Sequence, residues 1–288
     1  MIALCAGVGA TAFAALQLAL PVFGSAFRAR GIAPPDARAS IASGLSYLIV
    51  AAAFFVTGVG ALRDRAWARP ALVSLAWIWL LTGVLVVLVL ALFVPVLPVP
   101  GELVLAVRAI ILVGGLGLGI VLPVGLLWLL RVPAGLEVSR PSHWPPQPVL
   151  VLAVALAATS VLSLPTLVRP VIPLFHVVLT GMPAAAATLG LAALSAWLAR
   201  EVYRLEHRGL VGTALLFAFF GVSLVVTALA VDPMALWTAL GAGADDADAL
   251  STLPVGRAAA ASAAALAAAA SLVWLASLRR YFSARGRT

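Results

Sequence analysis

The chain has 288 residues, of which 64% are hydrophobic and 10% are charged, and its formal net charge is +8. Because a soluble domain carries about 25% charged residues, this composition excludes a water-soluble globule. The single cysteine, Cys5, excludes an internal disulfide.

Apolar runs of nearly bilayer length follow one another along the chain. A membrane-spanning helix needs about 20 apolar residues, and the runs lack the alternating pattern of transmembrane strands. The sequence therefore predicts an all-α, polytopic transmembrane helical bundle of about eight spans. The predicted spans are residues 2–24, 41–62, 70–97, 103–130, 148–168, 183–199, 209–231 and 258–278.

The last run is the weakest of these spans. Residues 258–270 are almost all alanine, which is a good helix former but barely lipophilic. This run is either a span packed inside a bundle or a helix on the membrane surface. Arg279 and Arg280 form a stop signal at its end, and Trp274 and Tyr281 are interface anchors.

The 18 basic residues are all arginine, and most of them lie at the ends of the apolar runs. Arginine at such positions anchors to lipid phosphates and sets orientation. The basic charge therefore indicates that the chain contacts the lipid bilayer and not nucleic acid. The heavy use of alanine, arginine, glycine and proline is typical of a GC-rich bacterial genome.

The distribution of arginine between the connections predicts the orientation. With eight spans and both termini in the cytoplasm, twelve arginines face the cytoplasm and six face outside, in agreement with the positive-inside rule. This predicts a multi-pass protein of the bacterial cytoplasmic (inner) membrane. Three arginines in the first outer loop argue against this orientation, and a seven-span form would place one terminus outside. The twelve are Arg63, Arg65, Arg69, Arg131, Arg140, Arg200, Arg204, Arg208, Arg279, Arg280, Arg285 and Arg287.

The two halves of the chain share an order of features. Pro21-Val-Phe23 in the first half corresponds to Pro173-Leu-Phe175 in the second, and a basic turn follows the next span in both, at residues 63–69 and 204–208. Halves of four spans each would run parallel to one another. The pattern predicts two parallel four-helix repeats in one membrane unit, although such residue types also recur through composition alone. The halves are residues 1–140 and 141–288.

Two polar residues are candidates for a functional site. Arg108 lies inside the fourth run, where an arginine at mid-bilayer costs about 2.5–3.5 kcal/mol on insertion; the alternative is that it reaches the outer headgroups. His176 lies near the outer interface, where it could serve as a proton relay or a ligand; the alternative is an ordinary interfacial histidine. Because no second histidine, cysteine or carboxylate is near it in the sequence, we predict no metal site.

A glycine patch in the fourth run predicts close helix packing. Gly115 and Gly119 have the GxxxG spacing that lets helix backbones approach one another, and Pro123 permits a kink. A hinge or a broken-helix site is the alternative. The hydroxyl residues in the spans are expected to bond to carbonyls of their own helices. These are Thr82, Ser160, Ser163, Thr166, Ser195, Ser223 and Thr227.

No catalytic residues, cofactor or metal are predicted, because the sequence has no Ser-His-Asp set, HExxH pair or CxxC pair. We therefore expect a non-enzymatic scaffold or accessory membrane protein, with other membrane proteins or further copies of itself as partners. A small-molecule transporter or permease is the alternative, on the basis of the repeat and Arg108. A membrane enzyme acting on lipids would need polar residues that converge at one interface.

Short motifs between residues 141 and 240 resemble a group of uncharacterised bacterial multi-pass inner-membrane proteins with no established activity. The motifs are His143-Trp144-Pro145, Pro173-Leu-Phe175 with Thr180-Gly-Met-Pro183, and Asp232-Pro-Met-Ala-Leu-Trp237. The stretch that begins at Pro21 and includes Phe27, Gly31 and Pro34 is similar to a short part of type II secretion platform proteins. Neither resemblance implies a site residue.

Overall fold

The structure is a computed structural model that describes residues 2–23, 36–93, 104–130, 145–240 and 257–283. The predicted residues Phe27, Gly31, Pro34, His143 and Trp144 lie outside this part of the chain, as do Arg131, Arg140, Arg285 and Arg287. The described chain is helical except for turns and one short hairpin, which confirms the all-α class.

The first half contains α1 (Ile2–Ala19), α2 (Ala37–Leu62), α3 (Ala68–Phe93), α4 (Val104–Leu116) and α5 (Leu122–Leu129). A 3-10 turn, Leu20–Phe23, follows α1, and a π-helical segment, Gly117–Val121, joins α4 to α5. The fourth predicted span is therefore continuous but changes its hydrogen-bonding pattern near its middle.

The second half contains α6 (Gln147–Ser163), α7 (Gly181–Tyr203), α8 (His207–Ala230), α9 (Pro233–Leu240) and α10 (Arg257–Ser283). A 3-10 turn, Leu164–Val168, and a hairpin of β1 (Val171–Leu174) and β2 (Val177–Thr180) lie between α6 and α7. The strands are antiparallel, with Val171 opposite Thr180 and Leu174 opposite Val177.

Six helices in the described residues are long and apolar enough to cross a membrane, so the chain is a membrane-embedded helical protein. Two shorter apolar helices, Ala6–Ala19 and Ala68–Val84, lie near the start of the chain. The six are Ala37–Leu62, Leu112–Leu129, Gln147–Val168, Gly181–Tyr203, His207–Ala230 and Arg257–Phe282.

Neighbouring helices pack in the same order in both halves. In the first half α1 lies along α2, and α3 contacts α2 and the helix formed by α4 and α5. In the second half α6 lies along α7, and α8 contacts α7 and α10. The halves meet where α3 packs on α6 and where α2 packs on the 3-10 turn Leu164–Val168.

Each half has its own apolar core. The larger core joins the start of α6, the end of α7, the start of α8 and the end of α10, and it consists of Val149, Leu152, Ala153, Leu156, Leu198, Ala199, Val202, Leu210, Leu275, Leu278 and Phe282. The smaller core joins α1, α2, α3 and α5 through Ala3, Phe54, Leu72, Ala76 and Leu126.

One end of the bundle, which we call the basic end, carries eight of the described arginines. Gln147 at the start of α6 donates to the Pro70 carbonyl and Ser74 Oγ at 3.1 and 3.2 Å, and Arg69 donates to the Leu130 carbonyl at 2.9 Å. These bonds and the larger core bring the arginine-bearing helix ends to one side. The eight are Arg63, Arg65, Arg69, Arg200, Arg204, Arg208, Arg279 and Arg280.

Two tight turns at the basic end have the same backbone hydrogen bonds. One joins α2 to α3 at residues 63–67, and the other joins α7 to α8 at residues 204–206. In each turn the first three N–H groups donate to carbonyls four, three and five residues earlier. The middle residues, Asp64 and Leu205, have positive φ angles of 51° and 61°, which are unusual for residues other than glycine.

Candidate functional site

The two predicted polar residues lie on different halves of the bundle. Arg108 is half-buried and lies four residues after the start of α4, at the end opposite to the basic end. His176 is exposed in the turn between β1 and β2. A role for either residue stays a prediction.

The hairpin turn is held on α8 through Phe175. The Phe175 N–H donates to Ser223 Oγ at 2.9 Å, and its carbonyl accepts from Thr227 Oγ1 at 2.8 Å. The Phe175 ring meets the Phe219 ring edge to face, with 5.3 Å between their centroids. Because Phe219, Ser223 and Thr227 recur every four residues, one face of α8 makes all three contacts.

Phe175 has a positive φ of 55°, so its backbone holds a conformation that L-residues rarely adopt. Ser223 and Thr227 are 1% and 6% exposed, so water does not replace them as hydrogen-bond partners. The two hydroxyl groups therefore position the turn that carries His176.

The hydroxyl prediction is confirmed for some residues and wrong for others. Ser163 and Thr166 bond to carbonyls three residues earlier in their own chain segment, as expected. Ser223 and Thr227 bond across to the hairpin instead. The sequence did not show this because their partner lies 48 and 52 residues away.

Removing these hydroxyl groups should loosen the hairpin. In Thr227→Val or Ser223→Ala, one Phe175 backbone group loses its partner in apolar surroundings, which costs about 1–3 kcal/mol. We expect hydrogen exchange of the hairpin amides to accelerate about tenfold or more. Thr213→Val is the matched control, because Thr213 donates to the Gly209 carbonyl of its own helix, at 2.7 Å, and not to the hairpin. Equal exchange in Thr227→Val and Thr213→Val would show that other contacts hold the hairpin.

The predicted glycine patch lies where α3 crosses the π-helical segment. Pro123 has no N–H, so it cannot donate to the Gly119 carbonyl as an α-helix requires. The Leu122 N–H donates to the carbonyl of Gly117, five residues earlier, which is the π-helical pattern. Gly119 and Pro123 are buried and Gly115 is half-buried.

Gly119 contacts Gly83 of α3 through backbone atoms. A Cβ added at Gly83 would lie 1.9 Å from the Gly119 carbonyl oxygen, and one added at Gly119 would lie 3.1 Å from the Gly83 oxygen. The two backbones are too close for any side chain at position 83. A hinge at this crossing stays a prediction, and π-helical segments are frequent at functional sites.

Two ion pairs join charged side chains of the described residues. The Glu201 carboxylate is 2% exposed and accepts from Arg208 Nε at 2.5 Å, across the turn between α7 and α8. Asp36 caps the start of α2 by accepting from the Arg38 N–H at 3.0 Å, and it also pairs with Arg169 of the second half. The second pair links the halves at the end opposite to the basic end.

No family model, curated protein or solved structure matches the chain. The resemblance to uncharacterised bacterial membrane proteins therefore stays a prediction. Within the described residues, no three His, Cys, Asp or Glu side chains lie close enough to share a metal ion.

Proposed function

We propose that the protein is a non-enzymatic scaffold or accessory subunit of a bacterial cytoplasmic membrane. The observation that carries this proposal is the use of hydroxyl groups inside the helices. Thr57, Thr188 and Thr213 each donate to a carbonyl four residues earlier in their own helix, while Ser223 and Thr227 hold the hairpin. These groups stabilise the fold and are not free to line a polar path through the membrane.

In this proposal the chain crosses the membrane about eight times, with both termini in the cytoplasm. Its basic end would face the cytoplasm under the positive-inside rule. The opposite end carries four of the described arginines, Arg38, Arg108, Arg169 and Arg257, against eight at the basic end. The matching turns and helix order of the two halves support two parallel four-helix repeats.

The exposed surfaces of the spans support partners within the membrane. Of an apolar stretch of 18 residues in each helix, only 11% is buried inside the bundle in Arg257–Phe282 and 17% in Leu112–Leu129. These apolar surfaces face lipid or another helix, such as that of another membrane protein or a second copy of this chain.

Transport of a small molecule is the second candidate, because the π-helical segment lies against α3 and Arg108 lies on the same continuous helix. A transporter opens a water-filled path near mid-membrane, whereas a scaffold has none. Single cysteines at the buried positions Thr188, Ser195 and Thr213, in a Cys5→Ala background, distinguish the two functions.

Thr188→Cys, Ser195→Cys and Thr213→Cys should all resist a water-soluble maleimide in native membranes, because thiols react as thiolates in water. Glu206→Cys, in the exposed turn between α7 and α8, should react and is the control. Reaction at any of the buried positions at the rate of Glu206→Cys would favour the transporter.

A further inference from the structure

A groove of about 380 Å³ lies on the surface of α2 at the basic end. Phe55, Val56 and Val59 form its apolar wall, and Val56 and Val59 are 60% and 39% exposed. Its rim is formed by the turn residues Arg63 and Arg65. The groove thus combines an apolar surface along a spanning helix with two positive charges at the end of that helix.

Trp67 completes the groove by lying across Gly60. A Cβ added at Gly60 would lie 2.9 Å from the Trp67 ring, so the glycine makes room for the indole. Tryptophan is enriched at membrane–water interfaces, which indicates that the boundary between hydrocarbon and headgroups passes near this ring.

The equivalent positions in the second turn carry their own anion. The shared hydrogen-bond pattern aligns Gly60 with Glu201 and Trp67 with Arg208. In the second turn the buried Glu201 carboxylate pairs with Arg208. In the first turn glycine replaces that carboxylate and the Trp67 ring lies against it, so this position gives the arginines of the first turn no anion.

Arg63 and Arg65 have no anionic partner among the described residues. Both are exposed, and neither forms an ion pair or hydrogen bond through its side chain with any described residue. Asp64 lies between them in the turn, yet the structure records no pairing with either one. Both arginines line the same groove, and the fork of a guanidinium group matches the oxygens of a phosphate.

We propose that this groove binds one anionic phospholipid, with its phosphate between Arg63 and Arg65 and an acyl chain along Phe55, Val56 and Val59. The apolar wall favours a lipid over a free phosphate, which would contact only the rim. Basic pockets at the cytoplasmic side of spanning helices recognise anionic headgroups in this way. The proposal does not depend on the scaffold function.

Native mass spectrometry of the delipidated, detergent-solubilised full chain tests the site. We would add dioleoyl phosphatidylglycerol or, as the zwitterionic control, dioleoyl phosphatidylcholine of the same chain length. Each arginine near an anionic surface contributes roughly a fivefold gain in affinity. Arg63→Gln with Arg65→Gln should therefore weaken phosphatidylglycerol binding about 25-fold and leave phosphatidylcholine binding unchanged.

The matched control is Arg200→Gln with Arg279→Gln, which removes the same charge from exposed positions at the same end of the bundle. This control should keep the phosphatidylglycerol adduct, and both double variants should keep the unfolding temperature of the parent protein. Equal loss in the two double variants would overturn the proposal in favour of diffuse attraction. Displacement of the lipid by an equal concentration of glycerol phosphate would overturn it in favour of a free-anion site.

Discussion

Gly83→Ala should destabilise the protein more than any other single methyl addition among its described glycines. The added Cβ would lie 1.9 Å from the Gly119 carbonyl oxygen, and the Gly119 carbon atoms would lie 2.6 Å away. Those atoms belong to the backbone, so no side chain can rotate to make space. We expect a loss of about 3 kcal/mol in the free energy of unfolding, at the upper end of the usual cost of overpacking.

The measurement is unfolding in mixed micelles, followed by tryptophan fluorescence. Gly119→Ala should cost less, because its Cβ would lie 3.1 Å from the nearest atom, the Gly83 oxygen. Gly114→Ala is the control, since no described atom lies within 4 Å of its added Cβ and alanine is the better helix former. If Gly83→Ala were as stable as Gly114→Ala, α3 would not contact the π-helical segment as described.

Removing Arg208 should destabilise the protein more than neutralising its partner, Glu201. In Arg208→Ala the Glu201 carboxylate, which is 2% exposed, stays buried without this donor. The cost should be about 2 kcal/mol, because Arg208 itself is largely exposed and the loss is smaller than for a fully buried pair.

The double variant Glu201→Gln/Arg208→Ala should recover most of that stability, because no buried charge remains. Glu201→Gln alone keeps an acceptor for Arg208 and should cost less than about 1 kcal/mol. The control is Arg200→Ala, which removes an exposed arginine from the same end of the bundle. An Arg208→Ala protein as stable as this control, with no recovery in the double variant, would contradict the assigned role of the pair.

The helices were predictable because lipid requires long apolar segments whose backbone groups bond internally. The run 258–278 became α10, Arg257–Ser283, and the run 41–62 became α2, which begins earlier, at Ala37, since Asp36 caps it. The approximate bounds of the helices follow from composition alone.

The hairpin was not predictable in the same way. Residues 171–180 are short, apolar and interrupted by Pro173, so they read as a loop between two spans. Their strand pairing is stabilised by Ser223 and Thr227, which lie far along the chain. The turn at Phe175 is therefore a tertiary feature without a local signal.

The groove on α2 could also be recognised only from the structure. The sequence contained the basic turns at residues 63–69 and 204–208, but it did not distinguish them. Only the shared backbone showed that Glu201 places a carboxylate in one turn, whereas Gly60 holds the same position in the other and contacts the Trp67 ring. The π-helical segment was partly predictable from the sequence, because Pro123 and the glycine patch indicated a break in the regular helix.

The reaction of Ser195→Cys with a water-soluble maleimide tests the central claim, a packed interior without a water path, most directly. Ser195 is fully buried on α7, and its Oγ has no hydrogen-bond partner among the described residues. An unsatisfied polar atom of this kind is where an internal water would lie if one could enter. The scaffold predicts no reaction in native membranes and full reaction after denaturation in detergent. Reaction in native membranes at the rate of Glu206→Cys would contradict the scaffold and indicate a transport path.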